Sequence, residues 1–314
     1  MIINRRQLRI KVLQMQYSYE QTEDANLRSF ETKLTKSIEE TYNLYLYYLL
    51  LLVEFKSLAE QKIEESKSKL RPDKKDLNPS LVFVENPLLV SLTENQELKK
   101  ILSKRSISWS SEMDLVRTLF NKIRTSDVYL QYLESDVSEL NSDVSFILKL
   151  FKTFVVNDEL LLSYFEEKSI FWIDDVDLVA SMIIKSFKRS KETNGKVAIL
   201  PLFKEEKEER LFFKNLFRNA IKQKNEIDQI IRDHTKNWDI ERIALMDILL
   251  MRLAVAEVTT FSSIPIKVTL NEYIELAKQY STNKSNFFIN GILDQSFSDL
   301  KSEGKIKKTG RGLL

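Results

Sequence analysis

The sequence predicts an all-α protein, and three observations predict it. Glycine and proline are scarce, at five each in 314 residues, and three of the glycines (Gly304, Gly310 and Gly312) fall at the far end. Sandwiches, barrels and doubly wound sheets need many tight turns, and their turn-makers are missing here. Charged residues make up 30% of the chain and alternate with Leu, Ile and Phe at helical spacing. Hydrophobic residues supply another 43%, enough to bury a core in one large or two small domains.

The elements follow in order. A first helix is expected over 4–19, with Leu8, Val12, Met15 and Tyr19 on one stripe. A long helix is expected over 31–69, and its YNLYLYYLLLLVEF segment is apolar nearly all round, which predicts burial on several sides. Pro72, Pro79 and Pro87 then predict a non-helical connection over 70–93. Further helices are expected over 94–104, 110–134, 137–156, 158–168 and 174–189, with Asp174 and Asp175 as the acidic start of the last. After SKETNGKVAILP come helices over 204–223, 224–236, 239–260 and 267–281, and a fifth from Ser285. Leu245, Leu249, Leu253 and Ala256 are expected to form one buried face, and Leu270, Ile274 and Ala277 another. Met113 onwards and Arg210 onwards share an apolar spacing, an echo common to any two amphipathic helix pairs.

Composition also excludes function classes. With no cysteine there are no disulfides, thiolate metal sites or cysteine nucleophiles, and one histidine, His234, cannot build a His-rich metal centre. The longest apolar stretch, 44–53, is about half a membrane span. With no secretory-type start either, a cytoplasmic protein is expected. Phosphate-loop, nucleophile-elbow, zincin and dinucleotide motifs are absent, so no catalytic residue, metal or cofactor is expected, and the chain reads as a non-enzyme. His234, in IIRDHTKNW, is expected to serve carbonyls at a helix end.

Net charge is only +2, but it is unevenly spread. No acid precedes Glu20, and Arg5, Arg6 and Arg9 fall on one arc of the first helix, with Lys11 on the other flank. Guanidiniums on one arc suit phosphate oxygens, and Tyr17 and Tyr19 further along offer faces for unpaired bases. The alternative is a solvated basic face. The tail, with Lys301, Lys305, Lys307, Lys308 and Arg311, reads as a frayed end.

The segment MDILLMRLAVAEVTTFSSIPIKVTLNEYIELAKQYSTNKSNFFINGILDQSF, residues 246–297, resembles the signature half of the NusB family of transcription antitermination factors. The RLAVAEV helix, the turn at Ile264-Pro265, KVTLNEYIELAK and FINGILD occur in the family's order. NRRQLRIKVLQMQYSYEQ resembles its opening helix, and ERLFFKNLFRNAIKQKNEIDQIIRDHTKNW its middle helices, so the likeness covers 1–22 and 203–300. It implies an all-α double helical bundle, here with an inserted helical subdomain. It further implies binding of boxA-like single-stranded RNA together with the ribosomal protein NusE, in an antitermination complex on RNA polymerase. By position, Arg5, Arg6, Arg9, Tyr17, Tyr19 and Phe288 match RNA-contacting places, and Glu257 matches a residue on the side that meets NusE.

The corresponding division is a first helix (1–22), an inserted region (23–155), the remaining NusB-like domain (156–305) and a basic tail (306–314). Gln7 departs from the family by replacing a basic residue. Ser285 is expected to cap its helix, Asn271 and Glu272 to cap or charge the first turn of theirs, and Gly291 to admit a neighbouring backbone. The competing functional class is a helical protein–protein scaffold that reads no RNA. An RNA-binding front end of an rRNA cytosine methyltransferase is a third, disfavoured because no methyltransferase sequence follows.

Overall fold

A computed structural model of the chain describes residues 1–135, 139–235, 243–282 and 284–313. Among them the regular structure is helical, with no strand, as the glycine-poor, periodic sequence requires. The expected helix start at 239, and parts of those expected over 137–156 and 224–236, lie outside the described residues.

The chain forms two compact units, one built from residues 3–38 and 202–314, the other from 39–201. These boundaries differ from those read in the sequence at 22/23 and 155/156, because α2 (Leu27–Lys67) is one uninterrupted helix that contributes to both units.

The first unit is centred on α13 (Leu245–Thr260), against which α1 (Arg5–Glu20), α11 (Glu206–Lys222), α12 (Lys224–His234), α14 (Ile266–Tyr280) and α15 (Ser285–Ser302) all pack. Five neighbours leave α13 no solvent face. Every residue from Leu249 to Val258 is buried, rather than the single expected stripe. Burying Arg252 and Glu257 along with the leucines requires internal partners for both charges.

Those partners tie the unit together. The Arg252 guanidinium donates to both carboxylate oxygens of Asp228 on α12 (2.5 and 2.8 Å) and lies 3.1 Å from Glu20 at the end of α1. Asp247, also on α13, accepts from the Ser285 hydroxyl at 2.8 Å and from Ser281. Ser285 is therefore not the cap expected of it; it is the first helical residue of α15, and its hydroxyl anchors that helix to α13. Gly291 also differs from expectation, since a side chain there would meet nothing within 4 Å.

In the second unit the all-round apolar segment of α2 is buried as its sequence predicts, from Leu44 to Leu49 and again at Leu51, Leu52 and Phe55. Its tyrosines meet the other rings edge-on: Tyr48 against Phe151 and Phe165, Tyr47 against Trp109. Both buried indoles donate to α2 carbonyls, Trp109 to Tyr47 (3.1 Å) and Trp172 to Glu40 (2.9 Å). Asp175 precedes α10 (Val176–Arg189) as expected, but its carboxylate accepts from the Thr41 hydroxyl at 2.5 Å instead of capping the helix.

Three connections depart from the sequence expectation. Within 70–93 stand a single turn, α3 (Lys74–Leu77), and a true helix, α4 (Pro87–Glu94). Pro87 begins α4, a position where its missing N–H costs nothing, and Asn86 caps it. The helix expected over 110–134 is broken at Ser126, which caps a new one, so α6 (Met113–Arg124) and α7 (Asp127–Leu133) are separate. Finally, α5 (Gln96–Arg105) starts on an Asn95 cap and α8 (Leu140–Leu150) runs on into a π-helical turn before α9 (Glu159–Lys168). No helix among the described residues is long and apolar enough to cross a membrane.

Candidate nucleic-acid interface

The site begins at the start of α1. Asn4 accepts from the backbone N–H groups of Arg6 (2.8 Å) and Gln7 (3.2 Å), and the Gln7 side chain accepts from the Asn4 N–H at 3.1 Å. This reciprocal capping box explains Gln7: an amide there closes the helix start, which a lysine or arginine could not do by accepting. The three arginines follow directly, held at a defined phase.

That phase splits them. Arg9 faces inward and is 3% exposed, and its guanidinium donates to both oxygens of the fully buried Glu257 at 2.7 Å. Thr269 (2.9 Å) and Tyr273 (3.1 Å) on α14 donate to the same carboxylate. Burial works against the charge on Arg9, but the pairing with Glu257 outweighs it and raises the guanidinium pKa further. Burial likewise pushes the Tyr273 phenol well up. Both residues therefore keep the protonation state the cluster needs.

Two readings from the sequence are corrected here. Arg9 is not a free cation on a phosphate-facing arc, and Glu257 is not a surface for a partner, because each neutralises the other inside the unit. Of the expected buried face of α14, Ala277 is buried, whereas Leu270 and Ile274 are only partly so. Its buried positions are Thr269, Tyr273, Leu276 and Ala277, so two hydroxyls turn inward to satisfy Glu257.

Arg5 and Arg6 remain at the surface. Arg6 forms a two-pronged pair with Glu272 (2.9 and 2.7 Å), and its guanidinium is 46% exposed. Glu272 lies in the second turn of α14, not the first, and bonding to Arg6 holds its carboxyl below the usual range despite partial burial. Arg5 pairs with Glu209 at 3.2 Å and more loosely with Glu208 at 3.7 Å. The guanidinium carbons of Arg5 and Arg9 lie 5.1 and 5.3 Å from the centre of the Phe212 ring, a cation–π seat that the sequence did not reveal. Arg5 and Arg6 line an open groove of about 690 Å³ with Asn4, Gln7, the largely buried Arg9, Ser263, Ile264, Pro265, Val268, Glu272 and Arg311.

The aromatic candidates also divide. Tyr17 is exposed, and eleven residues after Arg6 it returns to nearly the same side of α1, about 16 Å along the axis. Tyr19 instead presents its ring edge-on to Phe30 and Phe217, with centroids at 5.1 and 6.1 Å, so packing occupies it. Phe288 is half-buried, whereas its neighbour Phe287 is 77% exposed. The FF pair in the sequence was the available signal, but not which ring faces out.

His234 behaves as expected for a helix end. Its Nδ1 lies 2.8 Å from the Ile230 carbonyl, and its Nε2 lies 2.9 Å from Asp299. Among the described residues no cluster of His, Asp and Glu could hold a metal ion.

The NusB family model, described as "NusB family", matches residues 175–297, which include α13, α14 and most of α15, with Glu257 and Glu272. Similar curated proteins are each named "Transcription antitermination protein NusB". The one from Salinibacter ruber is 46% identical over 105 residues, covering 33% of this chain and 66% of that protein. The one from Chloroherpeton thalassium is 39% identical over 140 residues, covering 43% and 66%. The one from Bacillus licheniformis is 40% identical over 90 residues, covering 29% of this chain and 70% of that protein. The chain belongs to the NusB family. Its matches span about two thirds of the length of these NusB relatives, leaving much of the chain outside them. The NusB motifs legible in the sequence now have physical roles: RLAVAEV carries the buried Arg252 and Glu257 ties, and LNEYIELAK carries Glu272 and Tyr273.

Proposed function

We propose that this protein is a non-enzymatic antitermination factor that acts in the cytoplasm during rRNA transcription. It binds a boxA-like single-stranded RNA together with NusE, within the antitermination complex on RNA polymerase. The observation that supports this most strongly is the exposed pair Arg5 and Arg6, set at the mouth of a groove on a NusB-family scaffold. Tyr17 continues the same side of α1 as a stacking face. Phe288, with the more exposed Phe287, contributes at the start of α15.

Both arginines hold carboxylates in the free protein, and that does not oppose the role. Their carboxylates are largely buried but both guanidiniums reach solvent, where a phosphodiester strand offers bidentate, charge-assisted bonds and releases counterions. RNA therefore displaces Glu272 and Glu209 as partners. Arg9 and Glu257 act indirectly, by locking α1 to α13 and so fixing where Arg5 and Arg6 point.

The carboxylate partners are also what a protein–protein scaffold without RNA binding would show, so the test must separate the two. Fluorescence anisotropy with a labelled boxA-like RNA should show binding that NusE strengthens, and R5A/R6A should weaken it by about tenfold or more. Equal affinity of the double variant and the unaltered protein would favour the scaffold.

A further inference from the structure

The tail after α15 is not frayed. Ile306 is buried, and the Lys308 ammonium donates to the carbonyls of Val258 (2.8 Å), in the last turn of α13, and Phe261 (2.9 Å), which follows it. Burial lowers the Lys308 pKa, against the pull of the Glu257 charge. The Thr309 N–H donates to the Ser262 carbonyl at 3.0 Å. Gly310 then takes a positive φ of +52°, and Gly312 lies so close to Ser262 that a Cβ would stand 1.9 Å from its carbonyl oxygen. A side chain at residue 312 cannot fit without moving the tail.

This anchoring has one consequence for charge. It sets Arg311, between the two glycines, into the wall of the groove that Arg5 and Arg6 line. Arg311 is exposed and makes no ion pair with any described residue, unlike Arg5, Arg6 and Arg9. The acids nearest the groove already have partners: Glu272 holds Arg6, and Glu209 holds Arg5. An uncompensated guanidinium beside two others is a seat for an anion.

We infer that Arg311 binds a backbone phosphate of the RNA, taking the third cationic place that buried Arg9 cannot fill, and that the Lys308–Gly312 anchor exists to hold it there. This rests on the RNA reading of the same groove. A phosphate contact carries no base information, so its loss weakens all sequences alike.

The test uses the full chain, with labelled boxA-like RNA and a scrambled RNA of equal length, titrated at several salt concentrations. R311A should lower affinity for both RNAs by the same factor, roughly threefold to tenfold, and reduce the slope of log K against log salt by about 0.7. R311K should keep the slope. G312A, which displaces the anchor while leaving the guanidinium present, should reproduce much of the R311A loss, with helicity checked by circular dichroism. If R5A/R6A weakens binding while R311A changes neither affinity nor slope, the assignment of Arg311 is overturned and the RNA reading survives. If the unaltered protein binds neither RNA, or R5A/R6A binds like it, both fall together.

Discussion

Arg9 and Glu257 are the residues on which the site depends most, although neither meets solvent. Removing one member of a buried pair strands the other as an uncompensated charge, and Glu257 also collects two hydroxyl donors. The variant E257Q is accordingly expected to lose about 3 kcal/mol of unfolding free energy in urea titrations, because buried Arg9 keeps its charge with only the longer 3.5 Å pairing to Glu272. A change within about 0.5 kcal/mol, typical of surface positions, would show that the pair is not holding α1. His234 offers a second test at this scale, since one histidine gives one set of imidazole resonances. Burial opposes its charge, but bonds to Ile230 and Asp299 prevail and raise its pKa above 6.5. A raised folded-state value means that its contribution to stability is full below the unfolded pKa and is lost as pH rises through the folded one. NMR titration should place the midpoint above 6.5 in the folded protein and bring it down in D299N. An unshifted midpoint in that variant would remove Asp299 from the account.

At the scale of elements, most helices were legible because burial on one side leaves a periodic record. What local pattern could not carry was identity of partners. Arg9 and Glu257 are 248 residues apart, so a helical wheel shows the arginine arc but not that one of its members turns inward. The same blindness affected α14, whose inward face carries Thr269 and Tyr273 where apolar residues were sought. Pro87 reads in the sequence as a breaker but starts α4, and the tail reads as loose but is held by the Val258 and Phe261 carbonyls at the end of α13. Arg5 and Arg6 were legible as surface cations; Arg311 was visible only as one more charge in the tail. Gly291 gives an element-scale test. It lies inside α15 with open space around it, so nothing in the packing requires glycine. G291A should therefore raise thermal and urea stability, by about 1 kcal/mol. A loss of stability would mean that the position is constrained in a way the packing does not show.

For the whole molecule, the arginine-bearing groove lies in the unit built from residues 3–38 and 202–314, the family match runs from residue 175 through most of that unit's later helices, and residues 39–201 form a core of their own around α2. The resemblance to the NusB family is legible from RLAVAEV, LNEYIELAK and FINGILD, and the first two of these segments carry the buried ties of Arg252, Glu257 and Tyr273 in this chain. The extra helices carry no comparable record, since their acids and bases are mixed and their rings are packed inward. The central claim is that the outward arginines of α1 meet RNA while the inward one holds the scaffold. It is tested most directly by ultraviolet cross-linking of the full chain to a boxA-like RNA, with the attachment sites mapped by mass spectrometry. Cross-links are expected at Tyr17 and in peptides containing Arg5 and Arg6, with none at Arg9. Cross-links confined to residues 39–201, or no RNA attached at all, would contradict it.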